Sequence, residues 1–303
     1  MLSTSIDKYC YISCRYLPPF FDYKHRIVYS QVEELNEIDQ IRHPAVRGVF
    51  QWMNISDGIE IHHDGDLPAR SGLGSSSSFT VGLIHAMKAL RGEMVSKREL
   101  AQSAVHVERE VIHETVGSQD QVVAAYGGFN RIDFNRDDSF AVTPMILEKS
   151  RLINFQDHCM LFFTGVSRVA SEIAAENLKN INQHEKSLMT IRAMVEEAIE
   201  ILQNPKTSLN DFGKMLHESW LLKRSFSKKV SSPHIDEIYE AGRSAGAIGG
   251  KILGAGGGGF IFFFVKPENR AKVQERLKKL VHVTFRFDFT GSKIVIYEPN
   301  NFQ

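Results

Sequence analysis

Eight of the chain's 22 glycines fall within the single stretch from Gly246 to Gly259. A plain hairpin needs one or two. Such density, set between the apolar stretches Lys251–Leu253 and Phe260–Val265, points to close approach of the backbone by a ligand or by another loop. A mobile linker is the alternative. It is disfavoured because Phe260-Ile261-Phe262-Phe263-Phe264-Val265 is too apolar to lie exposed beside one. Any fold this chain adopts has to seat two short strands around a glycine turn.

A second glycine-rich stretch lies far upstream. Pro68-Ala69-Arg70-Ser71-Gly72-Leu73-Gly74-Ser75-Ser76-Ser77-Ser78 leads into Val81, Ile84, Met87 and Leu90 at helical spacing. Glycines at a loop-to-helix junction let the backbone approach an anion, and the free amides of the first helical turn then point at it. Serine hydroxyls add donors, and one can ligate magnesium. No Lys follows the second Gly, so this is not a Walker A loop, and the third Gly of a dinucleotide fingerprint is missing. A flexible turn before a serine-capped helix remains the plain alternative.

A helix is expected over Lys97–Glu114, with Leu100, Ala104, Val107 and Val111 on one face. Glu108 falls at the edge of that face, and the Gly-led turn Gly117-Ser118-Gln119-Asp120-Gln121 places Asp120 just beyond the helix. Two carboxylates reaching one cavity suit phosphoryl transfer, which needs oxygen ligands for a hard cation and an acid to orient or deprotonate the attacking hydroxyl. Taken singly, Glu108 also reads as a solvated helix charge and Asp120 as a helix cap. His106, Glu110 and His113 share the helix's polar side at spacings seen in metal sites, but a wet helical face describes them better.

The remaining pattern is mixed. Residues 1–65 read as strands and turns. Strands are expected at Phe129–Phe134, Phe140–Pro144 and His158–Thr164, and a long helix at Ala170–Leu202. Helices follow at Leu209–Ser227, after Pro233 and over Pro267–Leu280, and strands at Val283–Phe289 and Lys293–Tyr297. Lys plus Arg equals Asp plus Glu, 36 each, so no net field draws in nucleic acid or an anionic membrane. Cys10, Cys14 and Cys159 form no CxxC pair and read as free thiols. With no long apolar run and no leader pattern, the cytoplasm is the expected location.

The serine loop, the acidic segment from Glu108 to Asp120 and the segment from Lys251 to Gly259, in that order, resemble the GHMP family of small-molecule kinases. Finer similarity lies in Ser3-Thr4-Ser5-Ile6-Asp7-Lys8-Tyr9, Gly117-Ser118-Gln119-Asp120-Gln121, Tyr126-Gly127-Gly128-Phe129-Asn130, Thr164-Gly165-Val166-Ser167-Arg168 and Ile235-Asp236-Glu237-Ile238-Tyr239. These look like the D-glycero-D-manno-heptose 7-phosphate kinase branch, whose members phosphorylate the anomeric hydroxyl for GDP-heptose and surface-glycan synthesis.

The resemblance implies a two-domain α+β fold. Its N-terminal half, about residues 1–160, would be like ribosomal protein S5 domain 2, and its C-terminal half, about 161–303, ferredoxin-like. It implies ATP over Gly72, Leu73, Gly74, Ser75, Ser76, Ser77 and Ser78, supported by Gly256 and Gly257. Magnesium would be held by Ser76 and Glu108, with Ser77 as the alternative to Ser76, and Asp120 would be the base or orienting acid. Contacts to a small sugar phosphate are implied at Asp120, Gly127, Gly128, Ser167 and Arg168. Lys223, Arg224, Lys228 and Lys229 read instead as a solvated cluster. The family's earlier Arg-containing motif would precede Met1, so the Arg expected beside Asp120 has no counterpart here. A related kinase with another acceptor, a silent sugar-phosphate binding protein and an ATP-consuming decarboxylase are the competing functions. No nucleic-acid or membrane partner is expected, and the oligomeric state is open.

Overall fold

In the computed structural model, which describes residues 1–69, 71–166 and 184–298, strands gather into three antiparallel or mixed sheets with helices packed on them. This is the α+β class expected. The chain forms two compact units. The N-terminal unit comprises Ser5–Ala69, Gly74–Gly128 and Asp288–Gln303. The C-terminal unit comprises Met1–Thr4, Arg70–Leu73 and Phe129–Phe287.

The chain opens with β1 (Leu2–Ile6). The sheet of the N-terminal unit then contains β2 (Cys10–Tyr16), β3 (His25–Val28), β4 (Val32–Leu35) and β5 (Ile59–Gly65), in the order β2-β5-β3-β4. Cys14 and Ile27 both pair with Ile61. Strand alternation therefore puts Ile12, Cys14, Ile27, Ile59 and Ile61 on one face. Helix α2 (Ser75–Leu90) packs there, and Gly82 makes room: a Cβ on it would stand 2.9 Å from Ile12 Cδ1. The opposite face carries Arg15, Arg26, Glu60 and His62. Burial alone would raise the Glu60 carboxyl, but hydrogen bonds from His62, Arg26 and Arg15 hold it down at about 2.

Residues 1–65 are not all strand and turn, because Pro44–Trp52 forms helix α1. Pro44 starts it, Ala45, Val46, Val49 and Phe50 are buried, and the buried carboxylate of Glu33 accepts from the amides of Arg42 (2.7 Å) and His43 (3.2 Å) at its entry. Helix α3 (Lys97–His106) starts at a Ser96 cap. The expected continuation to Glu114 gives way to a widened turn, Val107–Val111, in which the Ile112 amide bonds to the Val107 carbonyl at 3.0 Å. Asp120 lies within α4 (Gln119–Tyr126) rather than in a turn.

In the C-terminal unit, β6 (Phe129–Phe134) pairs with both β1 and β7 (Phe140–Pro144). Helix α5 (Lys149–Asp157), which the sequence did not suggest, leads into β8 (Cys159–Phe163). Helices α6 (Glu185–Gln203), α7 (Leu209–Arg224) and α8 (Pro233–Ser244) follow. The start expected for α6 lies outside the described residues. Strands β9 (Ala247–Ile252), β10 (Phe260–Val265) and β11 (Val281–Val283) complete an antiparallel sheet of order β11-β8-β10-β9, with α9 (Arg270–Arg276) between the last two. A short β12 (Phe287–Asp288) joins β1. Two glycines let helices sit directly on the strands. A Cβ on Gly213 of α7 would stand 2.7 Å from Ile248, and one on Gly242 of α8 would stand 2.5 Å from Phe263. Trp220, Tyr239, Phe162 and Phe263 fill the core between them.

The strand expected at Lys293–Tyr297 does not form: Val295 is 77% and Ile296 82% exposed, and no neighbouring strand pairs with them among the described residues. No described helix is long and apolar enough to cross a membrane.

Candidate active site

The serine loop of the N-terminal unit begins at Gly74, whose φ of +70° is left-handed backbone that only glycine adopts freely. Its carbonyl accepts the Ser78 amide at 2.8 Å, which closes the first turn of α2. No side chain caps this helix, so the amides of Ser75, Ser76 and Ser77 have no acceptor inside it. With no acid in that turn, the end of α2 suits an anion. The serines diverge: Ser76 is exposed and Ser77 is buried.

Ser77 points its hydroxyl at Glu108. The distance to Glu108 Oε2 is 3.0 Å, and Gln121 Nε2 donates to the same oxygen. Glu108 is 1% exposed, yet its Oε1 has no hydrogen-bond partner. Burial raises its carboxyl above the ordinary range, against the pull of the neighbouring Thr80, Gln121 and Ser77 side chains. The widened turn explains how a charged residue enters the interior here. It contains one residue more than an α-turn, which shifts Glu108 inward from the edge of the apolar face. Gly48 of α1 supports that turn, lying so close to Ile112 that a Cβ would overlap its side chain.

Asp120 stands in the first turn of α4, where the helix dipole favours a carboxylate. It packs on the serine loop: a Cβ on Gly74 would lie 3.2 Å from both Asp120 Cβ and Cγ. Its Oδ1 accepts from Gln119 Nε2 at 3.2 Å. Burial raises its carboxyl above the usual range, partly offset by that bond. One unit therefore brings together an amide-rich helix start, a carboxylate with a free buried oxygen, and a second carboxylate made more basic by its surroundings. The donors are all hard oxygens, which suits magnesium better than a thiophilic metal.

Residues 40–128 match the GHMP kinases N terminal domain and residues 198–283 the GHMP kinases C terminal domain. A D-glycero-alpha-D-manno-heptose 7-phosphate kinase of Campylobacter jejuni is 32% identical over 233 residues, covering 77% of this chain and 68% of that protein. The chain belongs to the GHMP kinase family. It is a small-molecule kinase. A mevalonate kinase of Thermococcus sibiricus is 26% identical over 241 residues, 77% of this chain and 68% of its own length. Among solved structures, a D-glycero-D-manno-heptose 1-phosphate kinase from Bacteroides thetaiotaomicron shares the fold with a TM-score of 0.73 at 22% identity, over 98% of this chain and 90% of that one.

The other sequence-derived positions of this GHMP kinase sort differently. Gly127 (φ +64°) and Gly128 (φ +83°) are wedged against the chain's own backbone: Gly127 abuts Thr290 and Gly291, and the Gly128 amide donates to Asp288 O at 2.9 Å. In the C-terminal unit, the glycine-dense segment answers its own question, since another loop makes the close approach. A Cβ on Gly254 would stand 2.7 Å from Gly72 Cα, and one on Gly72 would stand 2.9 Å from Leu253 O. Gly256 and Gly257 pack on Val230, whose carbonyl accepts the Gly257 amide at 2.9 Å. The segment thus braces Ser71 and Gly72 through backbone contact, with Phe260 N donating to Ser71 O at 3.2 Å. Ser167 and Arg168 lie outside the described residues. Among the described residues, no group of three His, Cys, Asp or Glu could hold a metal, and His106 packs against Trp52.

Sequence reasoning missed the side chain that ties the acids together. Gln121, fully buried, follows Asp120 on α4 and reaches Glu108. It could have been found only by reading residues 119–126 as a helix. The basic cluster was misread in part: Lys228 and Lys229 are exposed, as expected. Lys223 donates to Gly254 O, and Arg224 pairs with Asp236 at 3.0 Å, so these two are engaged.

Proposed function

We propose that the chain transfers the γ-phosphoryl group of ATP to the anomeric hydroxyl of D-glycero-D-manno-heptose 7-phosphate, yielding the 1,7-bisphosphate for GDP-heptose and surface-glycan synthesis. The observation that carries the phosphoryl-transfer chemistry is the partnerless, buried Oε1 of Glu108 beside Ser77, in the unit that also holds Asp120 against Gly74. The Campylobacter relative supports the choice of acceptor.

In this reading the amides of Ser75 to Ser77 bind nucleotide phosphates at the start of α2. Glu108 and Ser77, with Ser76 as the exposed alternative, would hold magnesium. A carboxylate oxygen buried without a partner is costly unless a ligand binds it, and hard oxygens are what this cation takes. Magnesium, when bound, neutralises charge on the β- and γ-phosphates. Asp120 orients the acceptor hydroxyl and takes its proton as the oxygen attacks phosphorus and ADP leaves. Its raised basicity favours that role. Its reach is set by Gly74, which holds it against the phosphate-binding turn.

The test is ADP release from ATP and magnesium with D-glycero-D-manno-heptose 7-phosphate, for the wild-type chain and Asp120→Asn. Turnover present in the first and lost in the second supports the reading. Turnover with mevalonate but not with the heptose phosphate would replace the acceptor and keep the chemistry, an outcome the Thermococcus relative makes worth measuring.

A further inference from the structure

Two side chains of the N-terminal unit that are bonded to each other each keep one buried oxygen without a partner. Glu108 Oε1 is the first and Gln121 Oε1 the second. Both residues are buried, Gln121 completely. Gln121 Nε2 donates to Glu108 Oε2, so the two remaining oxygens belong to adjoining groups. Ser77 donates to the same Oε2 at 3.0 Å. Three elements meet here: Ser77 comes from the first turn of α2, Glu108 from the widened turn after α3, and Gln121 from α4, one position after Asp120.

An amide that only ties α4 to the widened turn accounts for the donated bond but not for the carbonyl. A buried acceptor with no donor loses its hydration and gains nothing in return. An ionised carboxylate only accepts, which fixes the amide with its nitrogen toward Glu108 and leaves its oxygen outside that contact. Both orphaned atoms are acceptors, so their complement must bring positive charge or O–H donors. A hydrated divalent cation brings both. Its charge meets the carboxylate oxygen, and a hydrogen of one of its waters meets the amide oxygen. Magnesium held by one or two carboxylates keeps several such waters. The Ser77 hydroxyl, having donated its proton to Glu108, keeps its lone pairs for the same ion.

We propose that Gln121 is a positioning residue for the metal. Its Nε2 engages Glu108 Oε2 and so reserves Oε1 for the cation, while its own Oε1 accepts from a water bound to that cation. This rests on the reading of Glu108 and Ser77 as the magnesium-holding pair.

The experiment measures Mn2+ binding to the full chain by electron paramagnetic resonance, with a non-hydrolysable ATP analogue present, for wild type, Gln121→Met and Gln121→Glu. Mn2+ stands in for magnesium because it takes the same hard oxygen ligands. Thermal unfolding confirms that each protein is folded. Methionine keeps the length of the side chain and loses both amide atoms. Its Mn2+ affinity should fall about tenfold or more, with the analogue's affinity in the absence of metal unchanged. Glutamate keeps an acceptor oxygen in place, and its Mn2+ affinity should stay within a few-fold of wild type. If Gln121→Met does not fold, Gln121→Asn, which withdraws the amide by one methylene, is held to the same expectation as methionine. A folded Gln121→Met that binds Mn2+ like wild type overturns the inference, as does a wild type that binds none. Equal weakening in the Met and Glu variants overturns it too, because the carbonyl then plays no part. The function is tested apart from this. A wild type that binds Mn2+ but releases no ADP with the heptose phosphate sinks the acceptor reading and leaves the role of Gln121 standing. Turnover of the sugar phosphate beside unaltered Mn2+ binding in Gln121→Met sinks the role of Gln121 and leaves the function standing.

Discussion

Ser77 donates its hydroxyl to Glu108 Oε2 across 3.0 Å, in a place where neither residue is more than 5% exposed. The bond joins the first turn of α2, with its acceptor-free amides, to the widened turn after α3 that carries the buried carboxylate. It also leaves Glu108 Oε1 free, because Ser77 and Gln121 both take the other oxygen.

Replacing Ser77 by Ala removes one of the two donors to that oxygen and leaves the exposed Ser76 in place. The expected result is a kcat about 10- to 100-fold lower and a raised magnesium requirement, with a stability loss of about 1 kcal/mol. Ser76→Ala is the comparison. If Ser76→Ala is the more damaging and Ser77→Ala is near wild type, Ser76 is the hydroxyl that matters. Initial rates across a magnesium titration decide between them.

Asp120→Asn keeps the shape that packs on Gly74 and removes the proposed base. A fall in kcat of about 10²- to 10⁴-fold is expected, with the Michaelis constant for ATP within a few-fold of wild type. Because burial holds the wild-type carboxyl above its ordinary range, kcat should also fall on the acid side at a higher pH than an exposed aspartate would give. A pH–rate profile with no acid limb above the ordinary aspartate range would count against the role.

Glu108 sets function against stability. Its folded carboxyl is raised, so the folded state binds a proton more readily than the unfolded chain. Such a group contributes stability below its unfolded pKa and loses it as pH rises through the folded value. At neutral pH the charged form is therefore a burden, and Glu108→Gln should be inactive but more stable. The gain should shrink as pH falls toward the ordinary glutamate range. Melting temperatures of both proteins along a pH series check the sign.

The glycine segments were legible because few structures tolerate such density, and the acids as a pair because the segment from Glu108 to Asp120 follows the serine loop in the order the family resemblance implies. Side-chain detail was not legible where tertiary packing decides it. Nothing local in Val107–Val111 announces a widened turn; it depends on Gly48 of α1 meeting Ile112, and α1 was itself hidden by Val46, Val49, Phe50 and Trp52, residues as common in strands. Gln121 was overlooked because Gly117 and Ser118 suggested a loop where α4 begins. Ile294 to Tyr297 have strand composition but no described neighbour to pair with, and composition alone cannot supply a partner strand. Lys223 read as a solvated charge because its acceptor, Gly254 O, lies 31 positions away in the chain.

His25 predicts the acid limit of the fold. It sits on β3 at 1% exposure beside the Phe50 ring, its Nδ1 has no partner, and desolvation and Lys24 together push its pKa down to about 4. A depressed histidine gives stability that is fully present above the unfolded pKa of about 6.5 and is lost as pH falls toward the folded value. Across that window the loss from this one residue is on the order of 3 kcal/mol. His25→Leu keeps the volume and removes the titration. Its melting temperature should therefore fall less than that of wild type between about pH 6.5 and pH 4. Parallel curves for the two proteins would show that His25 becomes protonated in the folded state without cost, and that the acid sensitivity lies with His43, His63 and the other depressed histidines instead.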